Sequence, residues 1–266
     1  MNRADRRRRE KEDERAVAPG LNISARDARQ TASLMRLIHR EVLEAIRVGS
    51  LQRLFSFVLN NLSKSGRQAP SDMIACRRGC SHCCHMWVSA TAPEVLFIAA
   101  HLRRQRSNLA LILEKAGRTR GMSFDARGKH VAPCPLLSDD GSCSVYSARP
   151  LACRTAASVD AEICRRGYLE LSDDEIPTPM FFLLQRAAYA IAMRGAFRKA
   201  GLPLVSYELN EALQAALAIP DAEKRWLNGD DLFADVQRDP NGDPLDQADN
   251  WQLYEFAFAE FDAEVL

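Results

Sequence analysis

Eight cysteines occur in this chain of 266 residues, and all of them fall between Cys76 and Cys164. Four lie within nine residues: Cys76-Arg-Arg-Gly-Cys80-Ser-His-Cys83-Cys84. Their spacing is i, i+4, i+7 and i+8. On a helix these positions share one face. In a tighter turn around Gly79 they would converge on one ion or cluster. Either geometry delivers several sulfurs to one place, so the middle of the chain carries the chemistry and the flanks read as scaffold.

Thiolate sulfur is a soft ligand that selects zinc, copper(I) or iron–sulfur clusters over magnesium or calcium. Zinc usually takes four ligands in a tetrahedron, supplied as two short-spaced pairs. Cys76 and Cys80 can serve as one pair. Cys134, Cys143, Cys153 and Cys164 are spaced too widely for a zinc ribbon. Cys83 and Cys84 bear directly on the number of sites. Adjacent side chains diverge by about 100° on a helix and point opposite ways in extended chain. They seldom bind one small ion together, but they easily reach two sites, or one ligand and one supporting position. The candidate ligands are Cys76, Cys80, Cys83, Cys134, Cys143 and Cys153, with Cys84 and Cys164 as further members. The metal is zinc or iron, the latter including an iron–sulfur cluster.

Four thiolates on a divalent ion leave a net −2, so cations are expected nearby. Arg77, Arg78, Arg149 and Arg154 are candidates, against the alternative that each is a solvated surface charge. His85 is a candidate replacement ligand. His82 is read with it, and His39, His101 and His130 lie away from the cluster. The competing readings of the cysteines are small buried apolar residues and a disulfide framework. The second belongs to oxidising compartments. Arg6–Arg9 sits among acidic residues, and no apolar stretch of secretory type precedes position 20, so a cytoplasmic location is expected. A net charge of +1 supplies no global field toward nucleic acid or anionic membrane. The longest apolar runs fall short of the ~20 residues a membrane span needs.

Hydrophobic periodicity predicts helices over 24–48 and 50–63, the first with Leu34, Leu37, Ile38, Val42, Leu43 and Ile46 recurring at helix spacing and Ser24 as N-cap. Residues 66–72 read as a polar connection. Thr91 and Glu94 have capping-box spacing at the head of a helix running to Arg104. Further helices are expected over 107–118, 158–169, 179–199 (amphipathic), 206–218, 222–227 and 251–261. Residues 121–133 read as loop, Asp139-Asp140-Gly141 as a turn, and 143–146 as a short strand. Arg149-Pro150 would start a helical turn that presents Cys153, and Asp239–Pro244 is a turn cluster. The fold class is mainly α: a helical scaffold with an irregular cysteine-rich metal-binding module. Its expected divisions are a disordered charged tail (1–20), an N-terminal helical segment (21–70), the cysteine module (71–170) and a C-terminal helical segment (171–266).

Cys76-x3-Cys80-x2-Cys83 also has the spacing of the three-cysteine cluster of radical S-adenosylmethionine enzymes. Those enzymes build on a βα barrel, and this chain shows too few strands. The combined pattern is more specific. It runs from the nine-residue cluster through Pro93-Glu94 to Cys134-Pro135-Leu136-Leu137. Gly141-Ser142-Cys143-Ser144-Val145-Tyr146 and Arg149-Pro150-Leu151-Ala152-Cys153-Arg154 complete it. In this order the pattern resembles the YkgJ-type cysteine-cluster family, whose domains are described as chelating zinc or iron. The resemblance covers about residues 76–155 and implies metal chelation without supplying a reaction. A related cysteine pattern in flagellin lysine methylases makes methyl transfer at an iron–sulfur centre a rival expectation. A third is a redox- or metal-sensing adaptor that offers its helical flanks to a protein partner. Within the pattern, Gly141 allows positive φ before Cys143, and Tyr146 is expected to pack its ring against the module.

Overall fold

The computed structural model describes residues 25–66 and 74–240, together with helical positions 255, 257–259 and 261. The charged tail, the Ser24 cap, the connection after Gly66 and most of the Asp239–Pro244 turn lie outside the described residues. So does part of the last expected helix.

The fold is mainly helical. Helices α1 (Ala25–Val48) and α2 (Gln52–Gly66) form an antiparallel pair, and Gly49 turns the chain between them at φ +69°. After the first cysteines come a 3-10 turn (His82–His85), strand β1 (Ser89–Thr91) and helix α3 (Ala92–Arg104). Then follow α4 (Leu109–Gly117), α5 (Phe124–Gly128), a second 3-10 turn (Tyr146–Ala148), α6 (Leu151–Thr155) and α7 (Ala161–Leu169). The chain continues through α8 (Met180–Lys199), β2 (Ser206–Glu208), α9 (Leu209–Ala218) and α10 (Ala222–Leu227).

The core centres on α1 packed against α8, with α3 packed against α9, α10 and α2. The buried stripe of α1 is Ala28, Ala32, Met35, Ile38, Val42 and Ala45, whereas Leu37 and Leu43 are exposed. The expected stripe of large residues is therefore rotated: Ala28, Ala32 and Ala45 share the buried face with Met35, Ile38 and Val42. Helix α8 is not amphipathic along its length. Ile191 to Phe197 are all buried, and Arg194 is accommodated by donating to the Leu204 carbonyl at 2.7 Å. A helix buried on every side occupies the centre of a fold. Gly195 marks the tightest approach, since a Cβ there would fall on the Met35 side chain. Met35 is itself fully buried. Gly195→Ala is thus expected to destabilise the protein by about 1–3 kcal/mol through overpacking. Thermal or denaturant unfolding reads this directly, and an unchanged midpoint would mean that Met35 can retreat.

The helix expected from Ser206 starts later. Ser206–Glu208 instead pairs antiparallel with Ser89–Thr91, in register Ser89↔Glu208, Ala90↔Tyr207 and Thr91↔Ser206. Buried Tyr207 lies 5.0 Å from the Phe233 ring, and this packing draws the segment into extended form. Helix α9 then begins with the Glu208 carboxylate accepting from the Glu211 N–H at 2.7 Å. The expected loop 121–133 contains α5, capped by Ser123 accepting from the Ala126 N–H at 3.2 Å. The expected strand 143–146 reduces to one bridge, Leu137↔Cys143, followed by the Tyr146–Ala148 turn. No helix of the described residues is long and apolar enough to cross a membrane.

Candidate metal centre

The first cysteine loop turns as its glycine suggests. The Cys80 N–H donates to the Arg77 carbonyl at 3.0 Å, and Gly79 has φ +86°. Asp139–Gly141 also forms the expected turn, with the Ser142 N–H and hydroxyl donating to Asp140 at 2.9 and 2.6 Å. The two turns abut. A Cβ on Gly141, already at φ +76°, would lie 3.2 Å from the Gly79 carbonyl oxygen. Gly141 therefore satisfies both a left-handed backbone and a close backbone approach.

Cys83 and Cys84 sit on the His82–His85 turn, closed by the Cys84 N–H donating to the Ser81 carbonyl at 2.9 Å. This turn packs against α7, which bears Cys164. Helix α7 starts at Asp160, whose carboxylate accepts from the Glu162 and Ile163 N–H groups at 2.8 and 3.0 Å. The Ala75 N–H donates to the Ser158 carbonyl at 2.8 Å, which fixes the approach to Cys76 beside that helix. On the other side, the Cys134 N–H donates to the Cys84 carbonyl at 2.7 Å. The Leu137↔Cys143 bridge then brings Cys143 back, and the Ser144 N–H donates to the Leu136 carbonyl at 2.9 Å.

Cys153 rides on α6, and α6 is held by Glu94. One oxygen of this buried carboxylate accepts from the Thr91 N–H and hydroxyl at 2.8 and 2.7 Å, closing the expected capping box. The other accepts from the Leu151 N–H at 2.7 Å, at the head of α6. The capping role is visible in the sequence. The second bond is not, because it reaches across 57 positions.

All eight thiols are free; Cys76 is exposed, Cys164 is buried and the others are half-buried. Burial is the main force raising the thiols of Cys76, Cys143 and Cys164. It pushes Cys134 and Cys153 up to about 12. Cys83 is raised by its hydrogen bond with Cys84 and then by burial. Neighbouring sulfurs add to these shifts, so the thiols lie within electrostatic reach of one another. In the metal-free state these groups hold their protons, and a binding cation has to displace them.

The expected counter-charges separate. Arg149 lies by Cys83, Cys143 and Cys153 and favours their thiolate forms. Its guanidinium stacks 3.8 Å over the Tyr146 ring, and its buried Nε has no hydrogen-bond partner. Arg154 instead ties the loop, donating to the carbonyls of Arg149 at 3.0 Å, Tyr146 at 3.3 Å and Ser147. Its charge still favours the Cys143 thiolate. Arg77 and Arg78 are exposed, and Arg78 lies by Asp140. Tyr146 is exposed rather than packed into the module, because its ring serves as the platform for Arg149. His85 directs Nδ1 at the Ser81 and His82 carbonyls, 3.1 and 3.4 Å away, within its own turn. His130 is exposed.

Three participants have no sequence signature. Arg127 is almost fully buried, donates to the His130 carbonyl at 2.9 Å and interacts electrostatically with Cys134 and Glu208. Glu208, likewise buried, is pushed up to about 7, chiefly by desolvation. Tyr168 on α7 is pushed up to about 12 by burial, beside Cys83, Cys164 and Cys76.

Residues 75–174 match a family model described as "CxxCxxCC: Putative zinc- or iron-chelating domain". Over those residues the chain is similar to that family. No curated protein and no solved structure matches the chain. The family name writes the first gap as two residues. The cysteine module here has three, Arg77-Arg78-Gly79, taken up by the turn at Gly79. The donor set suits the family's chemistry: soft sulfurs from several segments, a guanidinium among them, and an orphaned buried Nε on that guanidinium. Among the described residues no three His, Cys, Asp or Glu side chains are yet closed tightly enough to hold an ion.

Proposed function

We propose that this protein binds zinc or iron through the clustered thiolates of its CxxCxxCC module. The ligands are drawn from Cys76, Cys80, Cys83, Cys84, Cys134, Cys143, Cys153 and Cys164. The observation that carries the reading is the gathering of these free thiols around one short turn. They come from the 76–84 loop, the 134–143 segment, α6 and α7. Each segment is fixed by its own backbone or capping bond. When bound, the metal supplies a cross-link between these segments. The chain's own residues strip water from the sulfurs, orient them and set a guanidinium against the resulting negative charge.

Metal and acid-labile sulfide analysis of anaerobically purified full-length protein tests the proposal. Bound zinc or iron at one or more equivalents is the expected result. Iron with an equal amount of sulfide would assign an iron–sulfur centre, and zinc without sulfide a thiolate site. Reduced protein that retains neither metal, and takes up neither when offered it, would overturn the proposal.

A further inference from the structure

Cys83 and Cys84 are neighbours in the chain, and no other two of the eight cysteines are adjacent. Both thiols are free and half-buried, on the His82–His85 turn. The Cys83 thiol is hydrogen-bonded to the Cys84 sulfur, so the two sulfurs are already in contact. The turn that carries them is pinned on both sides. The Cys84 N–H donates to the Ser81 carbonyl at 2.9 Å, and the Cys84 carbonyl accepts from the Cys134 N–H at 2.7 Å. His85 closes the turn further by directing Nδ1 at the Ser81 carbonyl, 3.1 Å away. A bond between these two sulfurs therefore requires no movement of a distant segment.

Such a bond would be strained. Consecutive Cα atoms across a trans peptide are about 3.8 Å apart, whereas ordinary disulfides span Cα separations of about 4.4–6.8 Å. Strained disulfides are easily reduced, and labile bonds of this kind suit regulation rather than permanent cross-linking. Redox-sensing cysteines stand beside a resolving cysteine, and here the resolving residue is the next in the chain.

We propose that Cys83 and Cys84 form a reversible dithiol–disulfide switch, closed by a peroxide. The thiolate of one attacks a peroxide oxygen. The O–O bond breaks, the departing hydroxide takes up a proton as water, and the sulfur becomes a sulfenic acid. The neighbouring thiol attacks that sulfur and gives up its proton. The S–S bond forms, the S–O bond breaks and a second water leaves. Two thiols have lost two electrons, and one peroxide has become two waters. A dithiol reductant reopens the bond by exchange and is itself oxidised to a disulfide. The thiolate is the metal ligand, so closure withdraws two adjacent donors from the module and releases its metal. That output rests on the chelating function proposed above, whereas closure of the disulfide does not.

Mass spectrometry of full-length, reduced, metal-free protein, treated with hydrogen peroxide and then alkylated, tests the switch. The expected product has lost two hydrogens in the segment that holds Cys83 and Cys84, resists alkylation at both, and regains both thiols with dithiothreitol. Neither Cys83→Ser nor Cys84→Ser should form this link, with circular dichroism reporting the fold of each variant. Should a variant misfold, fragmentation of the parent decides the pairing, because the closed ring suppresses release of fragments cut between residues 83 and 84. A link that persists in Cys84→Ser, a disulfide to Cys80 or to a distant cysteine, or oxidation to sulfinic acid alone would overturn the proposal. Zinc-loaded protein should release its metal over the same range of peroxide and rebind it on reduction. Closure without release would overturn the switch as a control on the metal. A parent that closes the link yet never holds zinc or iron would uphold the disulfide and sink the chelating function instead.

Discussion

Replacement of Glu94 by alanine is expected to destabilise the protein by about 2–4 kcal/mol, out of proportion to the loss of one carboxylate. Glu94 accepts from the Thr91 N–H and hydroxyl with one oxygen and from the Leu151 N–H with the other. Removing an ordinary cap costs about 1 kcal/mol. A buried donor left without a partner costs roughly 1–3 kcal/mol more. Here one truncation uncaps α3 and strips the first N–H of α6. Because Cys153 sits on α6, the same change frees that thiol from the scaffold. Denaturant unfolding should record the stability loss, and alkylation of the metal-free protein should show Cys153 reacting faster. Glu94→Gln should fall between the two, since an amide offers one acceptor oxygen where two are used. A loss below about 1 kcal/mol in Glu94→Ala would show that neither helix depends on the shared carboxylate.

Metal removal is expected to have the other large effect, confined to one part of the molecule. A structural zinc in a small module contributes roughly 10–16 kcal/mol, comparable to or above the ~5–15 kcal/mol net stability of a whole domain. Apart from the nine-residue α7, the segments joined at the cysteine turn have few regular hydrogen bonds of their own: a single β-bridge, two 3-10 turns and the five-residue α6. The α1–α8 pair and the packing of α3 on α9 and α10 do not pass through the sulfurs. Chelation should therefore abolish amide-exchange protection around residues 80–85, 134–146 and 151–164 while α1, α3 and α8 stay protected. Unchanged protection across 134–164 after complete metal removal would deny the ion a structural role.

The long helices and the Thr91–Glu94 box are legible in the sequence because each is a local pattern. The elements that position the site are not. Three-residue strands carry little periodic signal, and the pairing of Ala90 with Tyr207 spans more than a hundred residues. The stripe on α1 is misread when only large side chains are counted, because Ala28, Ala32 and Ala45 are buried on its packed face while Leu37 and Leu43 are exposed. Cysteine spacing points to a soft metal, and the adjacency of Cys83 and Cys84 raises the question of two sites. What brings the cysteine-bearing segments together is the Ala75–Ser158 and Cys134–Cys84 backbone bonds, which no spacing announces. Arg127 stands in no recognisable pattern, and only folding carries it inward to Cys134.

Helix α3 lies inside the family match, yet Val95, Leu96, Ile98, Ala99 and Leu102 are among the most buried residues of the scaffold core. The borders of the match are thus not borders of the core. A fragment cut at 75 and 174 would carry a bare apolar helix through its middle and would need another surface to cover it. Transplanting the cysteine module into a different host would accordingly mean transplanting a helix-packing requirement as well. The flanking helices, although outside the cysteine pattern, are the solvent in which its longest helix dissolves.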